Sequence, residues 1–245
     1  MCIRDRYRDG ERGHTHEAAS VLAISAPAYP IAYELEQLDT TVPFPTLWFE
    51  ADKDTTQNTT WENVNGDATH GWSIGANTRA VIGDPRPDFF QTAYVFPDAG
   101  GTMPSLESLP GNPTDQSATI EVWFRPDDLV GQEVIWDFGG IMYGASLAID
   151  GDTLLFTTSS NSPDVQVAYQ GLRGNAFNHA VAIIDLDGGG GSTADPDFYL
   201  YLNGLLVAQR LDVAGFVDWA GGNTSGIGTI GGGEIGGDRL GWLNG

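Results

Sequence analysis

Side-chain oxygens crowd two stretches of this sequence. Asp52, Asp54, Asn63, Asn65 and Asp67 occupy the first, and Asp185, Asp187, Asp195 and Asp197 flank a run of four glycines at 188–191 in the second. Calcium takes about six to eight oxygen ligands from carboxylates, amides and carbonyls in flexible loops. Ca2+ is therefore the one candidate cofactor, with Asp52, Asp54, Asn65, Asp67, Asp185, Asp187, Asp195 and Asp197 as candidate ligands. Neither stretch has the spacing of a helix-loop-helix calcium site. The competing reading is turn chemistry, because Asp and Asn are residues that turns favour.

Tryptophan supplies the second chemistry. Of the seven, Trp48, Trp123 and Trp136 lie in strand-like runs, while Trp61, Trp72, Trp219 and Trp242 lie in polar or glycine-rich stretches. An aromatic face on a loop can stack on a sugar ring while nearby amides and carboxylates bond its hydroxyls. Trp72, Trp219 and Trp242, with Asn223, are the candidate ligand-binding residues; the competing reading folds these rings back as lids on the core. Other chemistries find little support. The single cysteine, Cys2, excludes an intrachain disulfide and a thiolate zinc site. His14, His16, His70 and His179 have no partner set of the nucleophile-base-acid kind, and no nucleophile elbow is present. No catalytic residue is assigned.

These side chains need a scaffold, and composition limits its type. The 245 residues include 33 glycines, 41% hydrophobic residues and 18% charged ones. That is enough apolar chain for a core and argues for short strands with many turns. With 33 acidic against 11 basic residues the net charge is −22, which disfavours nucleic acid and anionic membrane surfaces as partners. No run of 18 apolar residues suits a spanning helix.

Period-two alternation recurs along the chain. In SATIEVWFRPDD, Ile120, Val122 and Phe124 share one face, with Glu121 and Trp123 on the other. EVIWDFGG, ASLAIDG, TLLFTTS, HAVAIIDLD, DFYLYLNG and LLVAQRLDV continue the series. Asn203-Gly204 predicts a type I′ hairpin, since both positions need positive φ, and Asp150-Gly151-Asp152 predicts a second tight turn. Helices of a length suited to parallel crossovers are missing between these runs. The expected fold class is therefore all-β, an antiparallel two-sheet sandwich.

Boundaries follow from composition. Residues 1–12 hold four of the 11 basic residues, and MCIRDR resembles sequencing-adapter read-through, so this segment reads as a non-native head. Residues 13–43 read as a linker or the tail of an upstream domain, and 44–245 as the sandwich. LWFEAD (47–52) is the expected opening strand, 54–91 a long irregular excursion, and 188–191 a mobile tip.

The order of these segments resembles the laminin G-like, concanavalin A-like domains of bacterial secreted and surface proteins. The resemblance rests on Phe124 to Asp127, Ile149 to Phe156, Phe177 to Ala182 and Leu200 to Val207, and covers roughly 44–245. It implies a double-sheet jelly roll, with His179 at the family's strand-start histidine. Phe177 stands where the family usually has tryptophan. The family continues past a glycine-rich turn like IGTIGGG into a closing strand, which EIGGDRLGWLNG does not provide, so the last strand is expected to be missing. Related glycoside hydrolases carry Glu-x-Asp-x-Glu on one strand; no such triplet occurs here, and Glu121, Arg125, Glu133 and Asp137 read as exposed strand-face charges. The expected function is a non-catalytic recognition module of a larger secreted or surface protein, binding a glycan or a surface protein. A structural or adhesive spacer, or an accessory domain of a polysaccharide-degrading enzyme, are the alternatives.

Overall fold

The computed structural model describes residues 47–51, 59–64, 69–74, 78–81, 92–96, 100–109, 116–139, 143–160, 164–219 and 225–230. Alternation produces the strands it predicts. In β6 (Ala118–Phe124), Ala118, Ile120 and Val122 are buried while Thr119, Glu121 and Trp123 are half-buried on the opposite face. Five short strands precede it: β1 (Thr60–Trp61), β2 (Trp72–Ser73), β3 (Thr78–Val81), β4 (Thr92–Val95) and β5 (Gly101–Met103). Eight follow: β7 (Gln132–Gly139), β8 (Tyr143–Asp150), β9 (Thr153–Ser160), β10 (Asp164–Gln170), β11 (Asn178–Asp185), β12 (Asp197–Leu202), β13 (Leu205–Arg210) and β14 (Ser225–Ile230). The described residues contain no α-helix, only a single 3-10 turn at Leu106–Ser108. None of their helices is long and apolar enough to cross a membrane.

An eight-stranded sheet in the order β1-β2-β5-β14-β7-β8-β9-β10 faces a four-stranded sheet, β13-β12-β11-β6, and β3 and β4 form a separate pair. The pairings are antiparallel throughout. This is the jelly-roll sandwich. Its core takes Trp136, Phe138, Leu147 and Phe156 from the larger sheet and Ile120, Val122, Ala182 and Leu200 from the smaller. Apart from Ala182, each of these side chains contributes roughly 1.5 to 3 kcal/mol by leaving water. Asn203 and Gly204 take φ of 52° and 79°, as a type I′ turn requires, and Gly151 takes 59°.

Several expectations need correction. LWFEAD forms no strand over 47–51: the Trp48 N–H donates to Asn63 Oδ1 and its carbonyl accepts from Val64 N–H. A side-chain crosslink thus replaces a ladder, while Leu47, Phe49 and Ala51 still enter the core. The 54–91 stretch is no purely irregular excursion, since it contains β1, β2 and β3. IGTIGGG is not simply a turn: Ser225–Ile230 is a strand lodged between β5 and β7. Glycine serves close approach there, because Gly228 has φ +65° and the Phe96 ring occupies the space a Cβ would need. The head, the linker and the residues after 230, on which the missing-strand expectation falls, lie outside the described residues.

Candidate functional site

Register brings together what linear sequence keeps apart. On the face of the larger sheet opposite the core, Ser73 pairs with Thr102, Thr102 with Gly226, Gly226 with Asp137, Asp137 with Ser146, Ser146 with Thr157 and Thr157 with Gln166. Their core-facing neighbours, Trp72, Met103, Ile227, Trp136, Leu147, Phe156 and Val167, confirm the phase. The result is one transverse file crossing seven strands, made of polar side chains except at Gly226. Adjacent strands lie about 4.8 Å apart, so the stretch from Asp137 to Gln166 spans about 14 Å.

Both ends of the file are exposed, at Ser73 and Thr102 and at Gln166, whereas Asp137 and Ser146 are 0% exposed and Thr157 2%. Small residues border it, with Gly139, Gly144 and Ser159 in the next row on one side and Val134 and Ala148 on the other. Ser146 Oγ and Thr157 Oγ1 are buried with no hydrogen-bond partner. A hydroxyl in that condition costs roughly 1 to 3 kcal/mol, and natural proteins keep few of them without a reason. The file can donate and accept hydrogen bonds in series from hydroxyl, carboxyl and carboxamide groups.

The acidic stretch around the four glycines does the opposite. Asp197, fully buried, accepts at Oδ2 from the Gly190 and Gly191 N–H groups and the Tyr199 hydroxyl, and at Oδ1 from Asp212 N–H. Burial first, then the bond to Asp197, pushes the Tyr199 phenol well above its ordinary value, so it remains the donor. Asp212 accepts from the N–H and hydroxyl of Ser192 and of Thr193. Those bonds, the Ser192 N–H foremost, hold its carboxyl far below the usual carboxylate range.

The glycine run is therefore no mobile tip. A Cβ on Gly190 would collide with the Tyr199 hydroxyl, and one on Gly191 with the Asp212 carboxylate. Among the described residues no group of three or more His, Cys, Asp or Glu converges to hold a metal. Asp185, Asp187, Asp195 and Asp197 do not fit a shared ion, because the oxygens of Asp197 are spent on backbone and Tyr199 donors. Burial raises the Asp185 carboxyl, with Asp187 N–H bonding it. Asp52, Asp54, Asn65 and Asp67 lie outside the described residues; Asn63 is the crosslink to Trp48.

The tryptophan expectation is corrected as well. Trp72 and Trp219 are 0% exposed, so neither presents a ring face to a sugar. Trp72 packs on Phe49 and Phe138, and Trp219 Nε1 donates to the Gln116 carbonyl. Each is a core lid, held by apolar burial. Trp242 and Asn223 lie outside the described residues.

Two further clusters involve histidine. On the outer face of the smaller sheet, Trp123 stacks on His179 at 4.5 Å between centroids, and His179 Nε2 lies 2.7 Å from Glu121 Oε1. The ring closes a cross-strand pair with its register partner Trp123, which accords with a structural histidine. Elsewhere His70 Nε2 lies 2.7 Å from Ser108 Oγ, a pair invisible in the sequence because 38 positions separate them. Ser108 Oγ also lies 2.6 Å from the Ser105 carbonyl, which can only accept. The serine proton points there and His70 donates to the hydroxyl, the reverse of what a general base must do.

No curated protein matches this sequence. Among solved structures, the botulinum neurotoxin serotype C1 binding domain aligns at 14% identity and TM-score 0.46, over 68% of this chain and 39% of its own. The sialidase CBM40 of Ruminococcus gnavus aligns at 14% identity and TM-score 0.42, over 60% of this chain and 80% of its own. Mouse laminin alpha1 domains LG4-5 align at 12% identity and TM-score 0.39, over 50% of this chain and 31% of theirs. The chain thus spans well under half the length of the toxin domain and the laminin pair. With the two-sheet architecture in place and a family model matching residues 98–240, the chain belongs to the concanavalin A-like lectin/glucanases superfamily, on its laminin G-like side.

Proposed function

We propose that this domain is a non-catalytic recognition module of a secreted or surface protein and that it binds carbohydrate along the polar file of the larger sheet. The observation that carries the reading is the pair of buried hydroxyls without partners, Ser146 Oγ and Thr157 Oγ1, set in register between Asp137 and Gln166. Sugar hydroxyls both donate and accept, so a glycan laid across the strands supplies what these groups lack. Entry is from the β10 edge, where Asp164, Gln166 and Ala168 are exposed. The absence of a Glu-x-Asp-x-Glu strand and the reversed His70–Ser108 pair support recognition without hydrolysis.

The test is a Ser146→Ala/Thr157→Val double variant on an immobilised glycan panel. Losing two hydrogen bonds should weaken retention about tenfold or more, at roughly 0.5 to 1.5 kcal/mol each. The melting temperature should stay level or rise. Undiminished retention in the double variant, or reducing ends released above a heat-killed control, contradicts the reading.

A further inference from the structure

Among the described residues β1 and β10 end the larger sheet, and β13 and β6 the smaller. An open edge is a template for a further strand, and proteins blunt it with brevity, a bulge, proline, lysine or a charge placed against its own copy. β1 is two residues long. β13 shifts register against β12 between Leu200 and Tyr201. β6 carries Glu121 at its centre, so an antiparallel copy paired about that residue would set carboxylate against carboxylate. β10 has none of these devices. Its seven residues, DVQVAYQ, pair with β9 without a shift, from Asp164 opposite Ser159 to Gln170 opposite Thr153. The backbone groups on its other side have no partner among the described residues, and Asp164, at one end, is its single charge.

The β10 edge is also complementary to itself. A two-fold axis through Val167, perpendicular to the sheet, sets Asp164 opposite Gln170, Val165 opposite Tyr169 and Gln166 opposite Ala168 of a second copy. Residues directly opposite one another share a face of the sheet. Val165, Val167 and Tyr169, which pack toward the core, therefore meet their own kind, and the exposed Asp164, Gln166, Ala168 and Gln170 stay together on the outer face. Each Asp164 carboxylate meets a carboxamide, not a second carboxylate. Gln170 gives one amide hydrogen to Asp152 and has another to donate.

We propose that β10 is a homodimer interface, pairing antiparallel with β10 of a second copy about Val167 and joining the two larger sheets into one. The seam supplies about six to eight backbone hydrogen bonds. β13 contacts β10 from the facing sheet and brings Leu205 and Leu206, 57% and 42% exposed, to the same flank, so apolar surface accompanies the paired edge. Pairing consumes the edge of β10 and leaves the outer face at Gln166 and Ala168 open. The net charge of −22 on each chain opposes association, and salt relieves that repulsion.

The experiment is sedimentation velocity of the 245-residue chain over a concentration series at low and high salt. A monomer–dimer equilibrium should appear and tighten with salt; a monomer throughout overturns the proposal. Gln166→Lys/Ala168→Lys sets ammonium groups against each other across the seam and should weaken the dimer about tenfold or more. It also reduces the net negative charge, so a general charge effect would strengthen association instead. Gln166→Lys/Ala168→Glu leaves the net charge unchanged, pairs opposite charges across the seam and should dimerise at least as tightly as the parent. Undiminished dimerisation of the first variant overturns β10 as the interface, and weakening of both variants alike overturns the register about Val167. Hydrogen exchange of the parent chain needs no substitution: amides of β10 should gain protection as concentration rises, and unchanged protection while the dimer forms overturns the proposal.

Discussion

The polar file of the larger sheet and the loop at 186–196 use the same residue types to opposite ends. In the loop, Asp197 and Asp212 each receive four hydrogen bonds, and the glycines exist to let backbone donors reach them. In the file, Ser146 and Thr157 sit buried with hydroxyls that bond nothing. A saturated polar cluster holds a fold together, because each group is more expensive unpaired than paired. An unsaturated one weakens the fold and persists where something else uses it. Acidity alone points to the loop as a site, yet the bond count finds the loop carboxylates Asp197 and Asp212 occupied and the sheet hydroxyls of Ser146 and Thr157 unpaired.

The sharpest way to break this contrast is to empty the loop's anchor. Asp197→Ala leaves the Gly190, Gly191 and Asp212 N–H groups and the Tyr199 hydroxyl without their acceptor. At roughly 1 to 3 kcal/mol for each buried orphan, the loss should reach about 3 kcal/mol or more and lower the melting temperature by many degrees. Glycan retention measured below that melt should survive. A loss under about 1 kcal/mol would place the loop among dispensable turns.

The file predicts the opposite sign. Ser146→Ala/Thr157→Val removes two unpaired buried hydroxyls and should leave stability unchanged or raise it by about 1 kcal/mol, measured by denaturant midpoint. A comparable loss instead of a gain would mean that these hydroxyls already have partners. Gain of stability with loss of binding is the pattern of a site maintained for function.

Much of the fold was legible in sequence, and the site was not. Alternation exposed β6 through β9 and β11 through β13, and Asn203-Gly204 marked its own hairpin. β10 escaped because its outward positions, Gln166 and Ala168, are exposed and its fully buried core residues are two valines, Val165 and Val167, with Tyr169 packed partly against them. β14 escaped because SGIGTI reads as a turn, and only the Phe96 ring against Gly228 explains its glycine. The loop tryptophans misled because Trp61 and Trp72 sit in two-residue strands too short for any periodicity to show. The file itself has no linear signature. Ser146, Thr157 and Gln166 are ordinary outward positions, and only the pairing register, including the β7 bulge between Val134 and Trp136, aligns them with Asp137.

Acid sharpens the comparison from the loop side. Asp212 has a folded pKa depressed by its bonds to Ser192 and Thr193. Its contribution is present above the unfolded value, about 3.9, and is lost as pH falls from there through the folded value. Stability should therefore decline below about pH 4, and Asp212→Asn should flatten part of that decline by removing the titrating group. An acid limb identical in the variant and the parent would show that Asp212 bonds equally well in the unfolded chain.

Calcium gives the smallest expected effect and the last discrimination between the two acidic stretches. The loop oxygens of Asp197 are committed, Asp195 Oδ2 accepts from the Thr193 hydroxyl, and no group of three or more His, Cys, Asp or Glu among the described residues converges to hold a metal. An ion that binds only the folded state raises stability by mass action, about 2.7 kcal/mol at a hundredfold excess over its dissociation constant. Any rise of the melting temperature in calcium over ionic-strength-matched sodium chloride should thus persist unchanged in Asp187→Asn/Asp195→Asn, because the ligands would be Asp52, Asp54, Asn65 and Asp67. Screening of the −22 net charge contributes equally in both salts and cancels. A calcium response that disappears in the double variant would return the ion to the glycine loop and contradict the view that its hydrogen bonds are complete.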